Sequence, residues 1–180
     1  MDAINPNLPE WLPGIPGYLL PDKKELPAYI QVIDPATGKP RNLYGALRVM
    51  PYTFQAVAQL AMVEQSLDFH WPFLATSLTG VSSDAAGFRV MFNHTHKVPD
   101  PDYSGQIKSV TSALLNKHAV QQNVLGNATR QNFLPSPYLI MPGDSVMCEV
   151  RNLAPAANPV TTIIQVCIHG TEYSPDVKQT

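Results

Sequence analysis

Proline is concentrated at the start of this chain, and this limits what the first part can form. Eight of the 18 prolines fall within residues 1–40 of the 180-residue sequence. Each proline removes a backbone amide donor and restricts the residue before it, so neither a helix nor a central strand tolerates this density. The sequence therefore predicts an extended N-terminal arm over residues 1–27 and a folded domain over residues 28–180.

The predicted arm is not a polar linker, because large apolar side chains stand between its prolines. Side chains of this size gain free energy when they leave water. We expect them either to pack on the arm's own domain or to bind a neighbouring subunit. These candidate assembly residues are Leu8, Trp11, Leu12, Ile15, Tyr18, Leu19 and Leu20.

From residue 28 onward, short apolar runs are separated by turn residues, a pattern typical of β-sandwiches and barrels. Residues 87–93 and 145–151 show the clearest alternation of apolar and polar side chains, which indicates strands with one buried face. The predicted fold class is all-β, an antiparallel β-sandwich or jelly-roll-like domain preceded by the proline-rich arm. Further strands are predicted at residues 28–33, 43–50, 71–78 and 160–169.

Four segments have less regular patterns. Residues 54–67 mix good helix formers with stretches of alternation, and a long strand is favoured. Residues 160–169 are nearly apolar on both faces, which predicts a central strand covered on both sides. A turn is predicted at residues 80–84. Residues 106–131 leave open a helix near 110–120 or a pair of irregular strands.

The low charge of the chain limits its partners. Charged residues make up only 14% of the sequence, the net charge is −2, and no long run of either sign occurs. Such a chain has no phosphate-binding footprint, so we expect no nucleic-acid partner. It has neither the basic and apolar start of a signal peptide nor an apolar run of roughly 18 residues. We therefore expect no membrane partner and synthesis in the cytoplasm, and the neutral surface suits protein interfaces.

His94 and His96 are the candidate metal ligands, because residues two apart on a strand project from one face. No glutamate follows them until Glu149, and although His118 and His169 could converge on the pair, nothing in their spacing requires it. Exposed histidines at a strand end are the favoured interpretation. We therefore expect neither a metal nor a cofactor.

No catalytic motif is present in the sequence. It contains neither a G-x-S-x-G elbow nor a phosphate-binding loop. Cys148 and Cys167 lie inside predicted strands instead of at an activating helix start, and we expect two reduced, buried thiols. Carboxylates such as Asp144 fall mostly in predicted turns, where turn and capping roles explain them. We predict that the protein is not an enzyme.

In its C-terminal two-thirds, the order of segments resembles small β-sandwich virion proteins of tailed bacteriophages. Three parts carry the resemblance: the aromatic run at residues 66–74, the strand at 87–92, and the closing half at 132–170. It extends over about residues 54–173. It implies a structural virion protein, either a capsid cement or decoration protein or a neck or tail subunit. The implied partners are further copies of the chain and other virion proteins such as the major capsid protein, with no catalytic residues.

A glycan-binding β-sandwich module, as in a viral receptor-binding device, is the alternative function. Trp11, Trp71, Tyr103 and Tyr138 could stack on sugar rings. Core or interface positions explain the same four side chains at least as well.

Overall fold

A computed structural model describes residues 29–34, 36–100, 106–114, 119–127, 130–153 and 162–175. The predicted arm and its candidate assembly residues lie outside these ranges. Within the described residues, no helix has the length and apolar character needed to cross a membrane. The elements in this part of the chain are β1 (Tyr29–Ile33), β2 (Pro40–Val57), β3 (Met62–Asp68), β4 (Phe73–Ser82), β5 (Phe88–Pro99), β6 (Ile107–Ala113), β7 (Ala119–Val120), α1 (Gln121–Val124), β8 (Asn132–Ile140), β9 (Ser145–Asn152) and β10 (Thr162–Ser174).

The strands form two antiparallel sheets packed together, which confirms the predicted all-β sandwich. Sheet A has the strand order β1-β2-β10-β4-β8, and sheet B has the order β3-β9-β5-β6, with β7 paired to β5. Leaving aside the short strands β1 and β7, the first strand pairs with the last and the pairing continues inward: β2 with β10, β3 with β9, β4 with β8 and β5 with β6. This is the connectivity of a jelly roll.

The main core lies between the two sheets. Successive side chains of a strand point to opposite faces, so in strands such as β5 every second side chain points into this core. Phe88, Val90 and Phe92 of β5 are buried there, as the sequence predicts. Their polar neighbours Arg89 and Asn93 point to the other face. The same cluster contains Val146, Cys148 and Val150 of β9, Tyr52 and Phe54 of β2, and Ile164, Val166 and Ile168 of β10.

A second, smaller apolar cluster lies on the opposite face of sheet A. Phe73 of β4 joins the main core, so the next residue, Leu74, points the other way. Leu74 packs there with Ile30, Leu43 and Tyr173, and all four are buried. Sheet A is therefore covered on both faces at this end.

The predicted long strand over residues 54–67 is wrong. β2 ends at Val57 and β3 begins at Met62, so the segment crosses from sheet A to sheet B. Ala56 and Leu60 both have φ of 53°. Positive φ is uncommon for residues other than glycine, and the pattern of apolar side chains does not signal it.

The predicted turn at residues 80–84 is also displaced. β4 continues to Ser82, and the turn follows it, where the Asp84 carboxylate accepts the N–H of Ala86 at 2.8 Å and Gly87 has φ of 71°. In the described part of residues 106–131, the strand alternative applies, with β6 and β7 followed by the single helical turn α1.

β10 is a central strand, as predicted, because it pairs with β2 on one side and β4 on the other. Within the predicted range 160–169, however, the described residues are not covered on both faces. Ile164 and Val166 are buried in the main core, whereas Ile163 and Gln165 are exposed on the opposite face. The apolar side chain of Ile163 is thus left in contact with solvent.

Candidate functional site

The outer side of sheet A has a broad uncharged surface across β2, β10 and β4. Its members alternate with core residues, and the strand register aligns them on one face. Leu47 is 88% exposed and Val49 53% exposed within this surface. We call the surface the neutral face, and it consists of Leu47, Val49, Pro51, Thr53, Thr79, Val81, Ile163, Gln165, Cys167 and His169.

No aspartate, glutamate, lysine or arginine belongs to the neutral face. Its histidine, His169, lies with Nε2 2.8 Å from the hydroxyl oxygen of Thr79. Burial lowers the pKa of His169, so this side chain is also uncharged at neutral pH. Exposed apolar patches mark interaction surfaces, and the centres of protein interfaces are depleted of charge. The neutral face has both properties.

A second surface open to contacts is the edge strand β6. All seven of its residues are exposed, and among the described residues only β5 pairs with it. An edge strand presents unpaired backbone N–H and C=O groups that can pair with another chain. Ile107 and Val110 add exposed apolar side chains to this edge.

His94 and His96 do not lie exposed at a strand end, and that interpretation is wrong. β5 continues past residue 93 to Pro99, so the alternation that buries Phe92 carries His94 into the space between the sheets. The His94 side chain is 0% exposed and that of His96 is 35% exposed. The two rings pack together with their centroids 3.7 Å apart.

The structure brings Asp144 to the two histidines, although the sequence predicts it only as a turn residue. The register of β5 and β9 places Thr95 opposite Ser145, so Asp144 arrives beside His94 and His96. Its Oδ2 lies 2.9 Å from His94 Nε2 and 2.9 Å from His96 Nδ1. We call these three residues the histidine–aspartate cluster. No local spacing signals it, because Asp144 and His94 are 50 positions apart.

Asp144 also has the turn role that the sequence predicts for it. Its Oδ2 accepts the N–H of Met141 at 3.0 Å, and its Oδ1 accepts the N–H of Lys97 at 3.4 Å. Gly143 has φ of 86°, a conformation that glycine adopts without strain. The carboxylate is thus held in place from both β5 and the β8–β9 turn.

The two hydrogen bonds of His94 fit one tautomer of the neutral ring. A carboxylate only accepts, so His94 Nε2–H donates to Asp144, and His94 Nδ1 accepts from the Tyr138 hydroxyl at 2.6 Å. Burial lowers the pKa of His94 and nearby His96 lowers it further, while the contacts with Asp144 oppose the shift. Burial, and then Asp144, raises the pKa of Tyr138. His94 is therefore neutral, and its contact with Tyr138 on β8 joins sheet B to sheet A.

Tyr138 also lines a cavity of about 510 Å³ between the sheets. Most of the wall is apolar and includes Leu78, Phe92, Val146 and Ile168. The cavity therefore lies directly beside the histidine–aspartate cluster.

The aromatic residues considered for sugar binding do not share one surface in the described part of the chain. Trp71 packs against the second apolar cluster, with the Arg41 guanidinium carbon 5.8 Å from its ring centroid. Tyr138 packs against the main core on the other face of sheet A. Trp11 and Tyr103 lie outside the described residues. Glycan binding stays a prediction, which a glycan array would test.

The remaining candidate residues lie apart from the cluster. His169 belongs to the neutral face, and His118 lies outside the described residues. Cys148 and Cys167 are free thiols; Cys148 is buried as expected, whereas Cys167 is only partly buried.

Comparison with known proteins adds no relative: no family model matches the chain, and no curated protein matches it. The assignment of function therefore depends on the neutral face and on the histidine–aspartate cluster.

Proposed function

We propose that the protein is a structural subunit that assembles with other copies of itself and with partner proteins through the neutral face. The observation that carries this proposal is an uncharged sheet face on which Leu47 is 88% exposed and Val49 is 53% exposed. Burial of apolar surface stabilises by roughly 25 cal/mol per Å². Covering this face with another protein is therefore favourable, and no charged side chain of the face has to be desolvated.

We further propose a bacteriophage virion as the setting, with the protein acting as a capsid cement or decoration protein or as a neck or tail subunit. The resemblance of residues 54–173 to small virion proteins supports this setting. The jelly-roll connectivity is compatible with it, because viral capsid proteins use the same fold. Since one fold serves many functions, the fold adds only secondary support. The major capsid protein is a proposed partner.

The solution mass tests the neutral face. We would compare the full-length chain with the double variant Leu47→Lys/Val49→Lys by light scattering after size separation. Two lysines would have to lose their hydration inside an interface, so we expect the oligomer to dissociate. Met62→Lys is the matched control, because Met62 is also exposed and apolar but lies on β3 of sheet B.

A double variant that keeps the wild-type oligomer mass would rule out the neutral face as the contact between copies. A wild-type chain that stays monomeric at all concentrations would contradict self-assembly. Dissociation of the Met62→Lys control as well would show that added charge disrupts the oligomer wherever it is placed, and the neutral face would then not be identified as the contact.

Deletion of residues 1–25 tests the predicted arm. If the arm binds a neighbouring subunit, the shortened chain keeps its β-type circular dichroism spectrum and loses oligomer mass. An unchanged mass would contradict a role for the arm in contacts between copies.

A further inference from the structure

We propose that the histidine–aspartate cluster binds a first-row divalent transition-metal ion, with Zn²⁺ or Fe²⁺ as the best fit. The proposed ligands are His94 Nε2, His96 Nδ1 and a carboxylate oxygen of Asp144. These donor atoms all lie within 4.8 Å of one another. The site is independent of the assembly proposal and would be present in a single subunit.

The distances between the donor atoms are close to those of a metal site. Zinc binds imidazole nitrogen at roughly 2.0–2.1 Å and carboxylate oxygen at roughly 2.0–2.2 Å, so a tetrahedral ion holds two ligand atoms about 3.3 Å apart. Asp144 Oδ2 lies 2.9 Å from His94 Nε2 and 2.9 Å from His96 Nδ1. Entry of an ion thus requires each of these two pairs to separate by about 0.4 Å, while the three donor atoms stay within 4.8 Å of one another. His96 can supply this movement, because its side chain is partly exposed.

The charge at the cluster also favours a cation. The Asp144 side chain is 3% exposed, and among the described residues no lysine or arginine pairs with it. Hydrogen bonds from His94 and from the N–H groups of Met141 and Lys97 satisfy this buried carboxylate without neutralising its charge. A divalent ion between Asp144 and the two imidazoles would compensate its charge directly.

Groups around the ligands already hold them in a binding arrangement. With an ion on His94 Nε2, the ring proton moves to Nδ1, which can donate to the Tyr138 hydroxyl oxygen 2.6 Å away. Metal-bound histidines commonly make such a contact through their second nitrogen. The N–H groups of Met141 and Lys97 orient the Asp144 carboxylate.

The nature of the ligands selects the class of ion. Two imidazole nitrogens disfavour Mg²⁺ and Ca²⁺, which prefer oxygen ligands, and favour zinc, iron and similar ions. A bound ion would join β5 to the β8–β9 turn within one subunit. Through the contact of His94 with Tyr138, it would also strengthen the link between the two sheets.

Metal content and a cobalt spectrum test the site. Untagged full-length protein purified without chelator is expected to contain a single Zn or Fe ion per chain by plasma mass spectrometry. After removal of metal, Co²⁺ titration should produce visible d–d absorption bands that saturate at one equivalent, and Zn²⁺ should abolish them. Zn²⁺ should also raise the thermal midpoint of the metal-free protein.

His96→Ala is the diagnostic variant, because a partly exposed side chain can be removed without opening the core. Loss of partners outside the coordination shell already costs roughly 10–100-fold in affinity, so loss of a ligand should weaken Co²⁺ binding by more than about 100-fold. Asp144→Asn, which preserves the shape of the side chain, should have a similar effect. His70→Ala removes an exposed histidine that is not a proposed ligand, although Phe69 beside it pairs with the Asp144 backbone, and this nearby control should bind Co²⁺ as the wild type does.

Two results would overturn the proposal. One is a wild-type protein that binds neither Co²⁺ nor Zn²⁺ stoichiometrically, in which case the cluster is only a hydrogen-bonded network. The other is a folded His96→Ala protein whose Co²⁺ affinity and spectrum equal those of the wild type.

Discussion

The hydroxyl of Tyr52 donates a 2.8 Å hydrogen bond to the backbone carbonyl oxygen of Val146 and so connects the two sheets inside the core. Tyr52 lies on β2 of sheet A and Val146 on β9 of sheet B, and both are fully buried. Burial raises the pKa of Tyr52, with a smaller contribution from Cys148. The hydroxyl therefore keeps its proton and remains a donor at neutral pH.

Replacing Tyr52 with phenylalanine removes this donor while preserving the ring. We expect Tyr52→Phe to lower the free energy of unfolding by about 1–2 kcal/mol, because a buried acceptor loses its partner. Urea denaturation followed by fluorescence would measure the change. Tyr29→Phe is the matched control, since Tyr29 is exposed and its ring contact with Tyr44 survives. Equal stability losses in the two variants would show that the contact between sheets adds no stability.

The core strands could be predicted from the sequence because their signal is local. A period of two along residues 87–93 and 145–151 is enough to identify which side chains are buried. The histidine–aspartate cluster could not be predicted, because it depends on β5 pairing with β9 in one particular register. The periodicity of a single strand does not determine which strands lie next to it in the sheet.

The neutral face, like the histidine–aspartate cluster, could not be predicted from local sequence patterns. The sequence predicts a strand over residues 43–50, and that strand includes both Leu47 and Val49. Their exposure depends on which face of sheet A is covered, and Leu43 on the same face is buried. The sequence correctly predicts that these residues form a strand, but it does not show which part of the outer face of sheet A is covered by other residues.

Asn152 connects the end of β9 to the end of β2 and the start of β10, and we expect its replacement to lower the stability of the fold. Its buried amide nitrogen donates to the carbonyl oxygen of Val57 at 3.0 Å and to the hydroxyl oxygen of Thr162 at 2.9 Å. Asn152→Leu leaves these acceptors unsatisfied, so we expect a loss of about 2–3 kcal/mol in urea denaturation. Asn42→Leu, at an exposed position of β2, should change stability by less than about 0.5 kcal/mol. A loss at Asn152 as small as at Asn42 would contradict this role.

Gly170 lies where the register between β10 and β4 shifts. A Cβ at this position would collide with the carbonyl oxygen of Leu74 and lie 2.8 Å from Phe73 Cζ. Because backbone cannot yield as a flexible side chain does, we expect Gly170→Ala to lower the thermal midpoint by an amount equivalent to roughly 2–3 kcal/mol. Gly38→Ala adds a Cβ in open space at φ of 66° and should cost about 1 kcal/mol. A larger loss at Gly38 would show that backbone conformation matters more than the collision.

Thiol labelling links the fold to the proposed assembly, because the two free cysteines occupy different environments. Cys148 is buried in the main core, whereas Cys167 is partly buried in the neutral face. Burial raises the pKa of both thiols. Since the thiolate is the reactive form, Cys167 should react slowly with iodoacetamide in the folded chain, and Cys148 should react only after unfolding in urea.

Assembly through the neutral face would cover Cys167. We therefore expect its labelling, followed by mass spectrometry, to be slower in the wild-type oligomer than in the dissociated Leu47→Lys/Val49→Lys variant, by about tenfold for a contact that is open one-tenth of the time. Cys148 is the internal control, because its protection depends on the core and should be the same in both proteins. Equal labelling of Cys167 in oligomer and variant would show that the neutral face stays open to solvent, and assembly would then have to use another surface such as the β6 edge.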